Sequence, residues 1–176
     1  MKKLIIIYWL AGLLVTGCTS KELSREEAHQ LLQESKLYPR ILDFDIYCSD
    51  PQQAQAVLAA GLEKEGLVTV QKTQKLGDAG EPLILFTPKA KPYLLPTSPN
   101  DKELDVQKVK LAEEELVEVT GITTEKDGNS AVVEYRTAYK NVNPFAALRQ
   151  NSFQEKVNRK VHFIRQNNEW QIGMNK

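Results

Sequence analysis

The stretch SAVVEYRTAYK, residues 130–140, places small, aromatic or β-branched side chains at every second position. Side chains of a β-strand alternate between two faces, so a period of two predicts a strand with one face turned toward a core. Turn-forming residues at 126–129 and 141–143 bound the stretch and support this interpretation. The predicted inner face consists of Ala131, Val133, Tyr135, Thr137 and Tyr139.

Neighbouring stretches complete a predicted sheet around this strand. Consecutive strands joined by short turns favour an antiparallel meander, one face of which must be covered. The short segment Pro144–Leu148 would lay Phe145 and Leu148 against that face. We therefore expect a four-stranded antiparallel meander over 104–176, with strands at 116–123, 130–140, 156–165 and 170–174.

The ending VHFIRQNNEWQIGM resembles the closing hairpin of NTF2-like and cystatin-like domains, which occur in many bacterial lipoproteins. The resemblance covers roughly the last 60 residues and implies a long helix lying across the sheet. Only the Pro144 segment or the region 101–115 could supply that helix. A deep ligand pocket beneath the sheet is therefore not expected.

Before the meander, helical and extended patterns alternate. Ser24-Arg25-Glu26-Glu27 has the S-x-x-E form of a capping box and predicts a helix from about Arg25 to Glu34. Asp50 and Pro51 are typical of a helix start, and that helix should end at Gly66. Strands at 67–74 and 82–87, joined by a turn at 77–80, should follow as a hairpin.

A half-buried strand is predicted between the two helices, over 42–48. Cys48 shares its apolar phase and is expected to be an inert buried thiol, because a reactive thiol needs exposure and a cationic neighbour. Asp43 and Asp45 occupy the polar phase and allow two interpretations. A hard-cation site needs several oxygen ligands, and no third carboxylate lies nearby, so we favour a solvated face.

The stretches LAAGLEKEGLVTVQKTQ and LILFTPKAKPYLL are similar to the helix, the wing hairpin and the following segment of winged-helix domains, over residues 50–95. The pattern departs from that family where function would lie, because there is no room for the extra helix and the candidate recognition helix has no arginine. Reading nucleic acid requires side chains that reach base edges and basic residues for phosphates. The resemblance therefore implies a protein-binding or packing module.

These patterns predict an α+β fold in two parts. Pro96 to Asp101 contains two prolines and turn-forming residues, as linkers do. We expect a winged-helix-like subdomain with N-terminal helices and a β-hairpin at 24–96, a linker at 97–103, and an antiparallel sheet subdomain at 104–176.

The first residues of the chain predict its destination. Lys2 and Lys3 precede a charge-free apolar run that is too short to cross a bilayer comfortably, which is the pattern of a secretory signal. The four residues Val15-Thr16-Gly17-Cys18 that close this run resemble the lipobox of bacterial lipoproteins. The resemblance implies a signal peptide at 1–17, a tether at 18–23, and a mature N-terminal Cys18 that carries S-diacylglycerol and an N-acyl group.

Such an anchor is stable because two or more acyl chains hold a protein on a membrane, whereas one chain binds only marginally. Thr19 stands where many Gram-negative lipoproteins carry the aspartate that retains them at the inner membrane. In an organism with two membranes, the resemblance therefore implies an outer-membrane protein facing the periplasm.

Composition excludes several other functions. Without Lys2 and Lys3 the chain has 21 basic and 23 acidic residues, so its net charge of −2 does not attract nucleic acid. No P-loop, G-x-S-x-G or H-E-x-x-H motif is present. His29 and His162 have no evident metal or catalytic partners. The run Glu113-Glu114-Glu115 could be an acid site or a solvated face, and we favour the solvated face because charge runs are usually solvated. We predict no enzyme activity, no metal and no cofactor.

One basic group is the candidate contact for a partner. It could bind anionic lipid headgroups, an anionic envelope polymer or an acidic envelope protein, or it could be the solvated side of two strands. If it is exposed, reversing Arg159 and Lys160 to glutamate should leave folding intact. Two functions remain: a lipid-tethered body that binds or scaffolds an envelope component, and a small-ligand carrier or enzyme with a pocket under the C-terminal sheet. The basic group consists of Arg149, Lys156, Arg159, Lys160 and Arg165.

Overall fold

The structure, a computed structural model, describes residues 22–73, 77, 81–149 and 153–173. Its α+β fold combines a curled antiparallel sheet of five strands with a separate two-stranded sheet. In chain order the elements are α1 (Arg25–Glu34), β1 (Arg40–Tyr47), α2 (Pro51–Ala59), β2 (Val68–Val70), β3 (Ile84–Phe86), a 3-10 helix (Pro88–Tyr93), α3 (Pro99–Glu103), β4 (Val106–Thr124), β5 (Ser130–Lys140), a 3-10 helix (Pro144–Leu148), β6 (Val157–Gln166) and β7 (Glu169–Ile172).

The strand β4 organises the larger sheet, whose strand order is β1-β4-β5-β6-β7. Its first half pairs with β1 and its second half with β5, so only Glu113 and Glu114 have strand partners on both sides. The register of β1 against β4 shifts between Leu42 and Asp43, and the register of β4 against β5 shifts twice more. Such bulges bend and twist a strand, which is consistent with the curl of the sheet.

Two apolar cores lie along the inner face of this sheet. The first core packs α2 and the hairpin β2–β3 against β1 and the start of β4. The second core packs α1 against the later part of β4 and against β5, β6 and β7. In β4, Leu111 belongs to the first core and Leu116 packs against the second, so Glu114 lies between them.

The N-terminal helices begin as the sequence predicts. Ser24 caps α1 by accepting a hydrogen bond from the Glu27 N–H, and Asp50 caps α2 through the Gln52 N–H. The prediction that the second helix continues to Gly66 is wrong, because α2 ends at Ala59. Gly61 follows in the left-handed region at φ +77°, which ends a helix with a reversal that favours glycine.

The predicted four-stranded sheet has a fifth strand. β4 begins at Val106, ten residues before the predicted start at 116, and this extension pairs with β1. Region 101–115 was a candidate for a long covering helix, but α3 ends at Glu103. The cover on the second core is the ten-residue α1 instead.

The sequence predicts a linker at 97–103 that divides the chain into two parts. The sheet takes β1 from the first predicted part and β4 to β7 from the second. Within the predicted linker, α3 is capped by Ser98, whose side chain and backbone exchange hydrogen bonds with Asp101. The hairpin is shorter than expected, since β2 and β3 have three residues each, and most of its predicted turn lies outside the described residues.

Candidate functional site

A buried carboxylate with two guanidinium partners lies in the middle of the five-stranded sheet. The Glu114 side chain is 0% exposed. Its Oε1 accepts hydrogen bonds from the Thr137 hydroxyl at 2.6 Å and from Arg159 Nε at 3.0 Å, and its Oε2 accepts one from Arg40. Hydrogen bonds to an ionised group are roughly twice as strong as neutral ones, so both oxygens are firmly held.

The pairing register brings these groups together from four strands. Arg40 of β1 lies opposite Glu114 of β4. Tyr135 of β5 lies opposite Arg159 of β6. The hydroxyl of Thr137, two residues beyond Tyr135 on the same face, is also directed at the carboxylate. The Glu114 cluster therefore spans the sheet from its edge strand β1 to β6.

Two tyrosines extend the Glu114 cluster toward α1. The hydroxyls of Tyr38 and Tyr135 are 3.1 Å apart, and their rings meet edge to face with centroids 6.1 Å apart. Burial, together with the hydrogen bond to Tyr135, raises the pKa of Tyr38 above its usual value. Tyr38 lies between α1 and β1, so this contact fixes the connection between the covering helix and the edge strand.

The electrostatics of the cluster favour a permanently charged carboxylate. Burial alone would raise the pKa of Glu114, but the hydrogen bonds from Thr137, Arg159 and Arg40 outweigh it and hold the pKa below its usual range. Burial acts to lower the pKa of Arg159, while Glu114 raises it above its usual value. A carboxylate with both oxygens occupied and a lowered pKa is a poor proton acceptor, so the arrangement suits a structural ion cluster better than acid-base chemistry.

Strand alternation separates Glu114 from its two neighbours. Glu113 pairs with Lys110, and Glu115 pairs with Lys140. These two glutamates are partly exposed, at 24% and 32% of the side chain, in contrast to Glu114. The prediction that the whole run is a solvated face is therefore wrong for its middle residue.

The structure divides the predicted basic group between the two faces of β6. Arg159 points to the inner face, where it contacts Glu114. Lys156 and Lys160 lie on the outer face and pair with Glu118 and Glu134, at 3.6 and 2.6 Å. The expectation that Arg159 and Lys160 form one exposed basic strand is therefore corrected, because adjacent strand residues face opposite ways.

The two remaining members of the basic group are partly buried. Arg149 follows the second 3-10 helix, and its backbone N–H donates to the Ala146 carbonyl. Arg165 lies opposite Trp170 at the end of β6, and its Nε is buried without a hydrogen-bond partner among the residues that the structure describes. Both arginines are less exposed than Lys156 and Lys160. Cys18, the predicted lipid attachment residue, lies outside the described residues.

Ion pairs cover the outer face of the sheet near β1. Lys108 of β4 contacts Asp43 at 3.1 Å and Asp45 at 2.7 Å. Hydrogen bonds to these two carboxylates raise the pKa of Lys108. The two aspartates thus belong to an exposed, salt-bridged face, as the favoured interpretation predicted. Among the described residues, no group of three or more His, Cys, Asp or Glu side chains is arranged to hold a metal ion.

Cys48 is buried in the first core, next to the end of β1. Its Sγ lies 3.6 Å from the Ile46 carbonyl oxygen. Burial, with a smaller contribution from Asp105, raises the pKa of the Cys48 thiol to about 11. Since the thiolate is the reactive form, this environment keeps the thiol unreactive.

The second core is closely packed around Tyr135, one of the two tyrosines under which a pocket was the alternative. Tyr135 is 6% exposed and packs in the second core with Phe163. A cavity of about 390 Å³ lies between the start of α1 and residues 117–119 of β4. Another, of about 370 Å³, lies between α2 and the hairpin, and its lining includes Ala54, Leu58, Val70 and Leu83.

The sequence pattern did not single out Arg40 or Tyr38, nor did it predict the burial of Glu114. A signal was present: the alternation that predicts a strand from 116 also continues backward, placing Glu114 in the apolar phase of Ala112 and Leu116. A charged residue in a buried phase indicates a partner of opposite charge.

Within the described residues, no helix is both long and apolar enough to span a membrane. Comparison of the chain with models of known families, with curated proteins and with solved structures finds no match.

Proposed function

We propose that this chain is a lipoprotein of the bacterial cell envelope, anchored through acyl groups on Cys18. The observation that carries the proposal is the sequence Val15-Thr16-Gly17-Cys18 at the end of a short, charge-free apolar run behind Lys2 and Lys3. An N-terminal cysteine with S-diacylglycerol and an N-acyl group has enough acyl chains for stable membrane binding. Thr19 favours the outer membrane and its periplasmic face in an organism with two membranes.

The body of the protein acts by binding, not by turnover. Among the described residues, the buried carboxylate is that of Glu114, and both of its oxygens are occupied by Thr137, Arg159 and Arg40. The thiol of Cys48 is held in its unreactive form. A membrane tether raises the local concentration of any envelope partner, so modest contacts on such a body are sufficient. The function that fits these features is attachment to, or scaffolding of, another envelope component.

Two units of the fold contribute to this function. The unit 50–95, in which α2 is followed by the hairpin β2–β3, serves as a winged-helix-like packing or protein-binding module. The four consecutive strands β4 to β7 serve as the meander that carries the basic residues. Nucleic acid is not a partner, since the net charge of the chain is 0 before removal of the signal peptide.

The partner-binding surface centres on the outer face of β6. Lys156 and Lys160 remain exposed there, at 53% and 70% of the side chain. Arg159 belongs to the Glu114 cluster, so its contribution is to the stability of the sheet. The partner is an acidic envelope protein or an anionic polymer, because exposed ammonium groups attract negative charge in a salt-dependent manner.

Mass spectrometry of the protein from the membrane fraction tests the anchor. The wild type should carry acyl groups on an N-terminal Cys18, and Cys18→Ala should lose acylation, processing at this site and membrane association. Cys48→Ala is the matched control, because it removes the other cysteine of the chain and should leave all three intact. Acylated, membrane-bound Cys18→Ala protein would refute the proposal.

Crosslinking in intact cells tests the binding surface. Lys160→Glu should reduce recovery of a partner in a salt-sensitive manner, whereas Lys102→Glu, which changes an exposed lysine on α3, outside both β6 and the unit 50–95, should not. Equal recovery by both variants at low salt would show that Lys160 does not contact the partner.

A further inference from the structure

The distance between the proposed anchor and the folded body is short. Leu23 is 5% exposed and packs in the second core with Val119 and Trp170. Only residues 19–22 separate it from Cys18. A fully extended chain advances at most about 3.6 Å per residue, so Leu23 lies within roughly 18 Å of Cys18 whatever the tether conformation.

The position of α1 shows which end of the sheet this tether reaches. The first turns of α1, at Arg25 and His29, border Val119 of β4, whereas Gln33 near its end borders Leu116. α1 therefore runs antiparallel to β4, with its N-terminus toward the C-terminal end of that strand.

Two turns of the sheet lie at the same end. The β4–β5 turn, residues 125–129, follows the end of β4, and the Arg165 N–H of β6 donates to the Asn129 carbonyl at 2.7 Å. The β6–β7 turn, residues 167–168, is two residues further along. We call residues 23–29, 125–129 and 167–168 the α1 end.

The opposite end of the molecule is far from the tether. β4 has 19 residues, and at about 3.3 Å per residue a straight strand of that length covers roughly 60 Å, which bulges and curl shorten. α3 and the hairpin lie near its start, since α3 is followed by β4 after Leu104 and Asp105. The tether cannot bring both ends to the same bilayer surface unless the body lies flat.

The α1 end has the surface of a headgroup contact. Its exposed side chains include Arg25, Glu26, Lys126, Asp127 and Asn168. They are polar and of both charge signs, which suits the hydrated headgroup layer and does not suit insertion into the hydrocarbon core. The far end, by contrast, exposes Leu85 and Leu104, at 46% and 59%.

We infer that the lipid-anchored protein stands on the bilayer with its α1 end against the headgroups and α3 pointing away from the membrane. The inference rests on the proposed acylation of Cys18 and adds to it a docking surface whose occupant is the lipid surface itself. It follows from the burial of Leu23, the separation of Leu23 from Cys18 by only four residues, and the direction of α1. Acylation of Cys18 alone would not determine the orientation of the body.

Fluorescence quenching on vesicles tests this orientation. The acylated protein carrying Cys48→Ala is labelled at Lys126→Cys on the α1 end or at Lys102→Cys on α3, two exposed lysines. Each is reconstituted into phosphatidylethanolamine and phosphatidylglycerol vesicles containing headgroup-nitroxide lipid. The label at 126 should be strongly quenched and the label at 102 should not.

A longer tether provides the control for the short one. Twenty Gly/Ser residues inserted between Glu22 and Leu23 have a root-mean-square length of about 25 Å. This insertion should remove most of the difference between the two labels while the protein stays on the vesicles. A difference that persists unchanged would show that the tether length does not set the orientation.

The outcomes separate the two proposals. A protein that lacks acyl groups by mass spectrometry and does not float with vesicles overturns the proposed anchor, and the orientation with it. An acylated protein that floats but shows equal quenching at 126 and 102, or stronger quenching at 102, overturns the orientation alone.

Discussion

Replacing Glu114 by alanine should destabilise the protein far more than the same change at its neighbours. The carboxylate accepts hydrogen bonds from Thr137, Arg159 and Arg40, and removing one partner of a buried ion pair costs about 3–5 kcal/mol. Arg40 and Arg159 retain 53% and 34% side-chain exposure, so water can partly solvate them in the variant. We therefore expect the lower end of the range, about 3 kcal/mol.

Urea unfolding gives the measurement, with Glu115→Ala as the matched control. With a slope of about 2 kcal/mol/M, a loss of 3 kcal/mol moves the midpoint down by about 1.5 M. Glu115 is the next residue of the same strand, but it faces outward and pairs with the exposed Lys140. Its truncation should cost within about 0.5–1 kcal/mol. Equal midpoints for the two variants would refute the assignment of Glu114 as the centre of a buried cluster.

The same cluster sets a dependence on acid. The pKa of Glu114 is lower in the folded protein than in the unfolded chain, where a glutamate titrates near 4.3. Its stabilisation is therefore fully present above that value and is lost as the pH falls through the lower folded pKa. Glu114→Gln cannot titrate, so below about pH 4 its stability should fall less steeply than that of the wild type. Parallel pH profiles for the two proteins would contradict this assignment.

Three further predictions concern β6, Cys48 and the segment 97–103. Arg159→Glu should lower the free energy of unfolding by about 3 kcal/mol or more, because it sets a second carboxylate against buried Glu114. Lys160→Glu should lower it by only about 0.5 kcal/mol, and equal losses in urea unfolding would contradict the placement of the two residues on opposite faces. Cys48 should react with a thiol reagent only after denaturation, so rapid labelling of the native protein would show the core to be open. Limited proteolysis within 97–103 should give fragments that coelute in gel filtration, because β1 of one pairs with β4 of the other; separate elution would mean two independent units.

The elements best predicted from the sequence were those with strong local signals. Ser24 and Asp50 mark the starts of α1 and α2, because their side chains accept hydrogen bonds from backbone N–H groups in the first turn. The alternation over 130–140 likewise predicts β5 with its bounds. These features depend on residues within one or two turns of each other, so the local sequence is sufficient.

What the sequence did not predict depends on partners distant in the chain. The first half of β4 reads VQKVKLAEEE, and its run of glutamates has poor strand propensity, so pairing with β1 some 70 residues earlier is what holds it extended. Burial of Glu114 has the same origin, since Arg40 and Arg159 come from strands on either side of it. A charge run is usually solvated, and only the sheet register shows that its middle member is not.

From the location of the cluster we expect it to specify the register of the sheet, in addition to its effect on stability. An apolar residue at Glu114 could pack at least as favourably, because desolvation offsets much of the attraction within a buried ion pair. A carboxylate at this position, however, requires Arg40 on the inner face, and a one-residue slip of β1 would turn that side chain to the outer face. The register of β1 in turn fixes Tyr38 and its contact with Tyr135, and thereby the end of α1. With Leu23 packed at its other end, α1 is held on the sheet at both ends, so a tether attached there would act on the whole body and not on a loose helix.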